Sequence, residues 1–224
     1  DLALKLIDDG ADILDIGGES TRPGFSDVSE YEEISRVVPL IQKIRQVNDK
    51  IPISVDTRKM AVMKAAYENG ADVLNDVSAL EFDSKMAGFI SSTELSVILM
   101  FWKAGGIKEA KKYLKERVLF AQSCGIKKEK IILDPGIGFE KSFEQNCQLI
   151  RNCGDLAFGG IPVLMALSNK RCIGSMINEN EDSAKRGYGT ACANLFAVES
   201  GAKIIRVHDV KSAIDSLNVM NFLK

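Results

Sequence analysis

The sequence predicts an α/β fold of the (β/α)8, or TIM-barrel, class, and three observations predict it. Apolar runs of strand length alternate with amphipathic stretches of helical period along all 224 residues. Several runs follow a glycine that itself follows a helix-like segment, the place where a left-handed helix end is expected. Nearly every run ends in Asp, Asn, Lys, Arg or His. The first two argue for a parallel sheet covered by helices, which leaves a doubly wound sheet or a barrel. The third decides for the barrel, whose mouth is assembled from the C-terminal ends of many strands.

In chain order, a helix over Leu2 to Asp9 leads through Gly10 to a strand over Ala11 to Ile16, which delivers the polar cluster Gly17-Gly-Glu-Ser-Thr-Arg-Pro-Gly24. A helix over Glu30 to Asn48 precedes the strand Ile51 to Asp56, and a helix over Lys59 to Glu68 reaches Gly70 and the strand in ADVLNDVS. Asp56-Thr57 and Ser212 are the expected N-caps of the helices that follow them. Leu95 to Met100 is the next strand, Ile107 to Ser123 the next helix, and Gly125 leads through a charged turn to KIILDPG. Ile161 to Ala166, a helix over Ala184 to Ser200, and AKIIRVHD after Gly201 complete seven strands. A closed barrel of this class has eight strands and typically about 250 residues, so the expectation is a single domain over residues 1–224 that lacks its first strand and loop.

Composition bounds the function. Hydrophobic residues make up 46% of the chain, enough for a sizeable core. Its 29 basic and 31 acidic residues are interspersed, which gives no basic face for nucleic acid. No run approaches the ~18 apolar residues of a membrane helix, and the acidic start is unlike a signal peptide. Five cysteines without a CxxC pair suggest reduced thiols in a cytoplasmic protein, with Cys192 a small core residue.

The barrel-mouth candidates are Thr21 and Arg22, Asp56, Asn75, Asp134, Lys170, Arg206 and His208. Each has a plainer reading: Asp56 as a cap, Asp134-Pro-Gly as a turn, Lys170-Arg171 as a solvated pair. Arg206-x-His208 on a strand places two donors on one face, which suits an anion. Together the candidates offer acceptors for the N–H groups of a polar heterocycle and donors for phosphate, so a heterocycle carrying a phosphate ester is the expected ligand. The sequence has no GxxxxGK[ST] motif and no dinucleotide fingerprint.

At these residues the chain resembles the dihydropteroate synthase family. GADILDIGGESTRPG, SVDT at Ser54 to Thr57, NDVS at Asn75 to Ser78, DPGIGF at Asp134 to Phe139, LSNKRCIG at Leu167 to Gly174, Gly189-Thr190 and RVHDV at Arg206 to Val210 occur in order and suitably spaced. The resemblance implies a cytoplasmic, homodimeric barrel enzyme of folate biosynthesis. Such an enzyme joins para-aminobenzoate to 6-hydroxymethyl-7,8-dihydropterin diphosphate with Mg²⁺ and loss of pyrophosphate, and sulfonamides inhibit it.

It implies that Asp56, Asn75 and Asp134 hold the pterin and that Lys170 contacts both pterin and aminobenzoate. Thr21, Arg206 and His208 would bind the diphosphate, while Arg22, Pro23 and Phe139 shape the aminobenzoate site. Asp56 and Lys170 would carry the catalysis. The family's Mg²⁺-binding Asn belongs to the first loop, so no residue of this chain is assigned to the metal. After Leu99 the chain reads Met100-Phe101-Trp102-Lys103, where the family tends to have Met-His-Met and a longer loop. Two alternatives stay open: a methyltetrahydrofolate-dependent methyltransferase domain, and a non-catalytic pterin-binding relative.

Overall fold

A computed structural model describes residues 1–20 and 27–224. The chain runs through α1 (Leu2–Asp8), β1 (Leu14–Gly17), α2 (Glu30–Val47), β2 (Ile53–Asp56), α3 (Met60–Glu68), β3 (Val73–Asp76), α4 (Met86–Ser91), β4 (Ser96–Met100) and α5 (Ile107–Ser123). It continues through β5 (Ile131–Asp134), α6 (Phe143–Arg151), β6 (Leu164–Met165), α7 (Arg171–Met176), α8 (Gly187–Glu199), β7 (Ile204–Ile205) and α9 (Val210–Phe222). Seven strands are therefore present among the described residues, as the periodicity predicts. Two compact units divide the chain: Asp1–Leu99 with Arg117–Ile131, and Met100–Glu116 with Ile132–Lys224.

In the first unit β1, β2, β3 and β4 pair in parallel and in sequence order, with Gly17 opposite Asp56 and Asp56 opposite Asn75. Their apolar residues are buried on both faces, Ile53, Val55 and Leu74 completely, as expected of strands covered by helices. Helix α2 is capped by the Ser29 hydroxyl, which accepts from Glu32 N, and carries three acids in its first turn, where the helix dipole favours them. It turns Glu33, Val37, Ile41 and Ile44 to the core. In the second unit β6 and β7 pair in parallel, and Val163 bridges to Leu133. There α6 begins with a reciprocal Ser142–Gln145 capping box and buries Asn146, Cys147, Leu149 and Ile150.

Gly10, Gly70, Gly125 and Gly201 all have positive φ, between 95° and 111°, so the expected helix-ending turn is present before four strands. β1, β2, β4 and β6 all start later than their apolar runs, and in two of them a proline stands near the start. Pro52 and Pro162 lack an N–H and can only accept, from Leu14 N and Leu133 N respectively, so β2 starts at Ile53 and β6 at Leu164. Two expected caps are corrected. The N-cap position of α3 is Lys59, and Asp83 rather than Asp56 or Thr57 accepts from Met60 N. Asp209 caps α9, accepting from the Ser212 backbone N–H, so Ser212 lies inside the first turn.

Gly18 lies where α2 presses on the end of β1: a Cβ there would stand 2.8 Å from Glu33 Cγ and 2.9 Å from Val37 Cγ2. Gly18→Ala is expected to lower the unfolding free energy by about 1–3 kcal/mol, the usual cost of overpacking a filled core. Urea denaturation of the two proteins measures this, and an unchanged midpoint would mean that α2 can retreat.

Candidate active site

In the first unit the polar candidates stand at strand ends. Parallel register aligns Gly17, Asp56 and Asn75 across three neighbouring strands, and the two-residue side-chain period puts Asp15 and Ser54 on the same face. The Asn75 amide donates to both Asp15 carboxylate oxygens at 3.3 and 3.4 Å. Asn75 is buried and Asp56 half-buried. The Ser54 hydroxyl, also buried, has no hydrogen-bond partner among the described residues. A polar ligand face of carboxylates, an amide and a hydroxyl results, able to meet both donors and acceptors.

The segment beside these strand ends is anchored by a buried ion cluster that sequence reasoning missed. Lys59 Nζ donates to Glu19 Oε2 at 2.6 Å, Glu33 Oε2 at 2.7 Å and the Val28 carbonyl at 2.6 Å. Glu19 in turn accepts from Val28 N at 2.9 Å, and Arg58 pairs with Glu19 and Asp27. Residues 19 and 28 are thereby tied together. Burial alone would raise Glu19, but the hydrogen bond and charge of Lys59 hold its carboxyl below the usual range. The same burial would lower Lys59, and the two glutamates instead raise it. Thr21, Arg22 and Pro23 lie outside the described residues.

In the second unit Asp134 ends β5 almost fully buried. Burial raises its pKa, opposed by the positive charges of Lys170, Lys141 and Arg206 and by the Gly136 N–H, which donates to Oδ1 at 2.6 Å. The structure therefore gathers three of the predicted residues, Asp134, Lys170 and Arg206, into one electrostatic neighbourhood. Lys170 Nζ donates to the Ile137 carbonyl and lies 5.2 Å from the centre of the Phe139 ring, so Phe139 joins the group. Gly136 is obligatory there: its φ is +66°, and a Cβ would stand 2.2 Å from the Phe101 carbonyl oxygen.

His208 is exposed just past β7, and its Nδ1 lies 2.9 Å from Ser168 Oγ, which also accepts from His208 N. The loop carrying Ser168 and Lys170 is braced from behind. Thr190 Oγ1 accepts from Asn169 N, and buried Arg186 donates to the carbonyls of Asn169, Glu179 and Asn180. Asp15, Lys59, Lys141, Ser168 and Arg186 were not expected from the sequence. Of these, only Lys141 carried a readable signal, a cation two residues beyond DPGIGF.

Among the described residues no three His, Cys, Asp or Glu side chains cluster in a way that could hold a metal ion. All five cysteines are free thiols, and burial pushes those of Cys147, Cys153 and Cys172 up, as suits inert core residues. Cys192 is exposed, which corrects its expected place in the core.

A family model described as pterin binding enzyme matches residues 1–208. A dihydropteroate synthase of Streptococcus pyogenes serotype M3 is 38% identical over 98% of this chain and 84% of that protein. The solved dihydropteroate synthase of Xanthomonas albilineans with 4-aminobenzoic acid superposes with a TM-score of 0.94 at 39% identity, covering 99% of this chain and 82% of that one. The same enzyme in complex with 7,8-dihydropteroate gives 0.92 at 38% identity over 99% and 85%.

Removing the ammonium of the ion cluster leaves Glu33 buried without its counter-charge and Glu19 with Arg58 alone. Lys59→Met is expected to cost about 3–5 kcal/mol in the unfolding free energy, as for other broken buried pairs. The pH dependence follows from the directions of the shifts. The Glu19 contribution is present above its ordinary pKa of 4.5 and lost as pH falls through its lowered folded value. The Lys59 contribution is present below 10.5 and lost as pH rises through its raised folded value. Denaturant titrations across pH should show both losses in the wild type; in Lys59→Met the alkaline loss should be absent and the acid loss reduced to the part that Val28 N–H and Arg58 sustain.

Proposed function

The chain belongs to the pterin-binding enzyme family, and from that premise we propose that it is a dihydropteroate synthase. It condenses 6-hydroxymethyl-7,8-dihydropterin diphosphate with para-aminobenzoate to give 7,8-dihydropteroate and pyrophosphate in folate biosynthesis. Its fold class is the family's (β/α)8 barrel.

The observation that carries the reading is Asp134, a strand-end carboxylate held in the protein by nearby cations and one backbone N–H. Such a group is an acceptor waiting for N–H donors of a planar polar ring. We assign Asp56, Asn75 and Asp134 to the pterin, and Lys170 with Phe139 to the junction of pterin and aminobenzoate. Arg206 and His208, with Thr21, take the diphosphate; Arg22 and Pro23 complete the aminobenzoate site. In the reaction the amine of aminobenzoate forms a bond to the pterin methylene while the bond from that carbon to the diphosphate oxygen breaks, and the alkylated nitrogen then gives up one proton to the departing pyrophosphate or to water. Positive charge builds on the methylene as pyrophosphate leaves, and carboxylates, Asp56 in particular, stabilise it. Arg206 and His208 receive the negative charge that departs.

Mg²⁺ enters the proposal as a companion of the diphosphate, because this cation takes phosphate oxygens and water more readily than an all-protein cage. Sulfonamides, as aminobenzoate mimics, are the expected inhibitors. The free cysteines support a cytoplasmic setting, and no described helix is long and apolar enough to cross a membrane. A homodimer is supported by α8, which is apolar on nearly every side yet leaves Tyr188 91% and Phe196 50% exposed.

Incubation of the protein with both substrates and Mg²⁺ should release pyrophosphate and form dihydropteroate. Pterin binding without product would favour a non-catalytic relative, and methyl transfer from methyltetrahydrofolate would favour the methyltransferase alternative. Asp134→Asn puts an NH₂ where the ring also offers N–H and removes a charge-assisted bond, so pterin affinity should fall by about 2–4 kcal/mol. An affinity within about threefold of wild type, less than 1.4 kcal/mol, would take Asp134 out of the site. Light scattering should find a dimer that Phe196→Glu converts to a monomer.

A further inference from the structure

We propose that Lys141 is a positioning residue for pterin binding: its side chain clasps the loop after β4 to the loop after β5 and so holds Asp134 and Phe139 in place. The inference rests on the dihydropteroate synthase reading and concerns a residue that the reading does not use.

Lys141 Nζ donates to three backbone carbonyls, those of Phe101 at 2.8 Å, Phe139 at 3.0 Å and Lys103 at 3.1 Å. An ammonium has three N–H donors, so the full set is spent on two loops. The same nitrogen lies 4.4 Å from the centre of the Phe101 ring. Phe101 is fully buried, and its own N–H donates to the Asp134 carbonyl at 2.8 Å, so the clasp reaches the backbone of the pterin carboxylate through one residue. From the other side Asn146 Oδ1 accepts from Gly138 N at 2.7 Å while its amide donates to the carbonyls of Lys141 and Ser142. The loop from Asp134 to Lys141 is thus fixed at both ends and in the middle, with Lys141 supplying the contacts to the neighbouring loop.

The charge matters as well as the donors. Burial pushes the Lys141 ammonium down to about 8, Lys170 pushes the same way, and the carboxylates of Asp134 and Glu140 oppose both. Lys103 contributes its carbonyl, while its own ammonium lies over the rings of Tyr113 and Trp102. As pH rises through 8 the amine keeps two N–H donors for three carbonyls, and Asp134 loses one of the three positive charges around it.

The test compares wild type, Lys141→Arg and Lys141→Met for equilibrium binding of 6-hydroxymethyl-7,8-dihydropterin diphosphate between pH 7 and 9.5. The ligand's own titration is common to all three proteins, so ratios of dissociation constants are the readout. Arginine stays charged throughout. The wild type should therefore weaken relative to Lys141→Arg by about fivefold or more over this range, the scale of one charge-assisted hydrogen bond. Lys141→Met should bind about tenfold more weakly than wild type at pH 7, the gap closing as pH rises. Aminobenzoate KM measured on the ternary system should move less than pterin KM. A wild-type to Lys141→Arg ratio that stays flat with pH overturns the proposal, as does a Lys141→Met protein that is folded by thermal melting and binds within about twofold of wild type. If Lys141→Met fails to fold, the arginine ratio decides alone. A wild type that binds no pterin sinks the synthase reading and the Lys141 role together; normal wild-type binding with unaffected variants sinks only the latter.

Discussion

Parallel register is the constraint on which the chemistry of the first unit depends. Side chains in a parallel ladder stay in step, so a polar residue at the end of one strand finds its counterpart at the end of the next without any specific contact between them. Gly17, Asp56 and Asn75 are aligned in this way, and a slip of one residue would turn all of them to the opposite face. The residues that hold the register are apolar and lie upstream, Leu14, Ile53, Val55 and Leu74, all buried. Stability and function are therefore written in different parts of the same strands.

Carboxylates and ammonium groups withdrawn from water need compensation, and the two buried lysines obtain it differently. Lys59 faces two carboxylates, and the attraction outweighs the loss of solvent, so its proton is held more tightly than usual. Lys141 faces three carbonyls, which satisfy its donors without supplying a negative charge, so desolvation wins and the proton is held less tightly. The first arrangement is suited to a permanent anchor. The second leaves a titratable group close to a carboxylate that must itself stay receptive.

The repeating strand–helix unit was legible because its signals are local: the apolar runs, the glycines with positive φ, and the polar residues that follow. Ile107–Ser123 matched its expected limits for the same reason. The caps at Asp56-Thr57 and Ser212 were misread because the true partners, Asp83 and Asp209, are settled by how the loops fold, and an Asp or Ser near a helix start looks alike in either position. Asp134, Lys170, Arg206 and Phe139 were legible as candidates from their motifs. Lys59 and Arg186 were not, since a lysine or arginine inside a helical or charged stretch is ordinarily a solvated residue, and Lys141 offered only its place two residues beyond DPGIGF. What sets them apart is a burial that only tertiary structure supplies.

His208 illustrates how such supporting residues hold the visible ones. Ser168 Oγ accepts from the His208 backbone N–H and lies 2.9 Å from the ring Nδ1, so one hydroxyl contacts both the backbone and the side chain of His208. Ser168 belongs to the loop that carries Lys170, and Arg186 and Thr190 brace that loop through Asn169. The contacts of His208 are thus made by the same loop that carries Lys170.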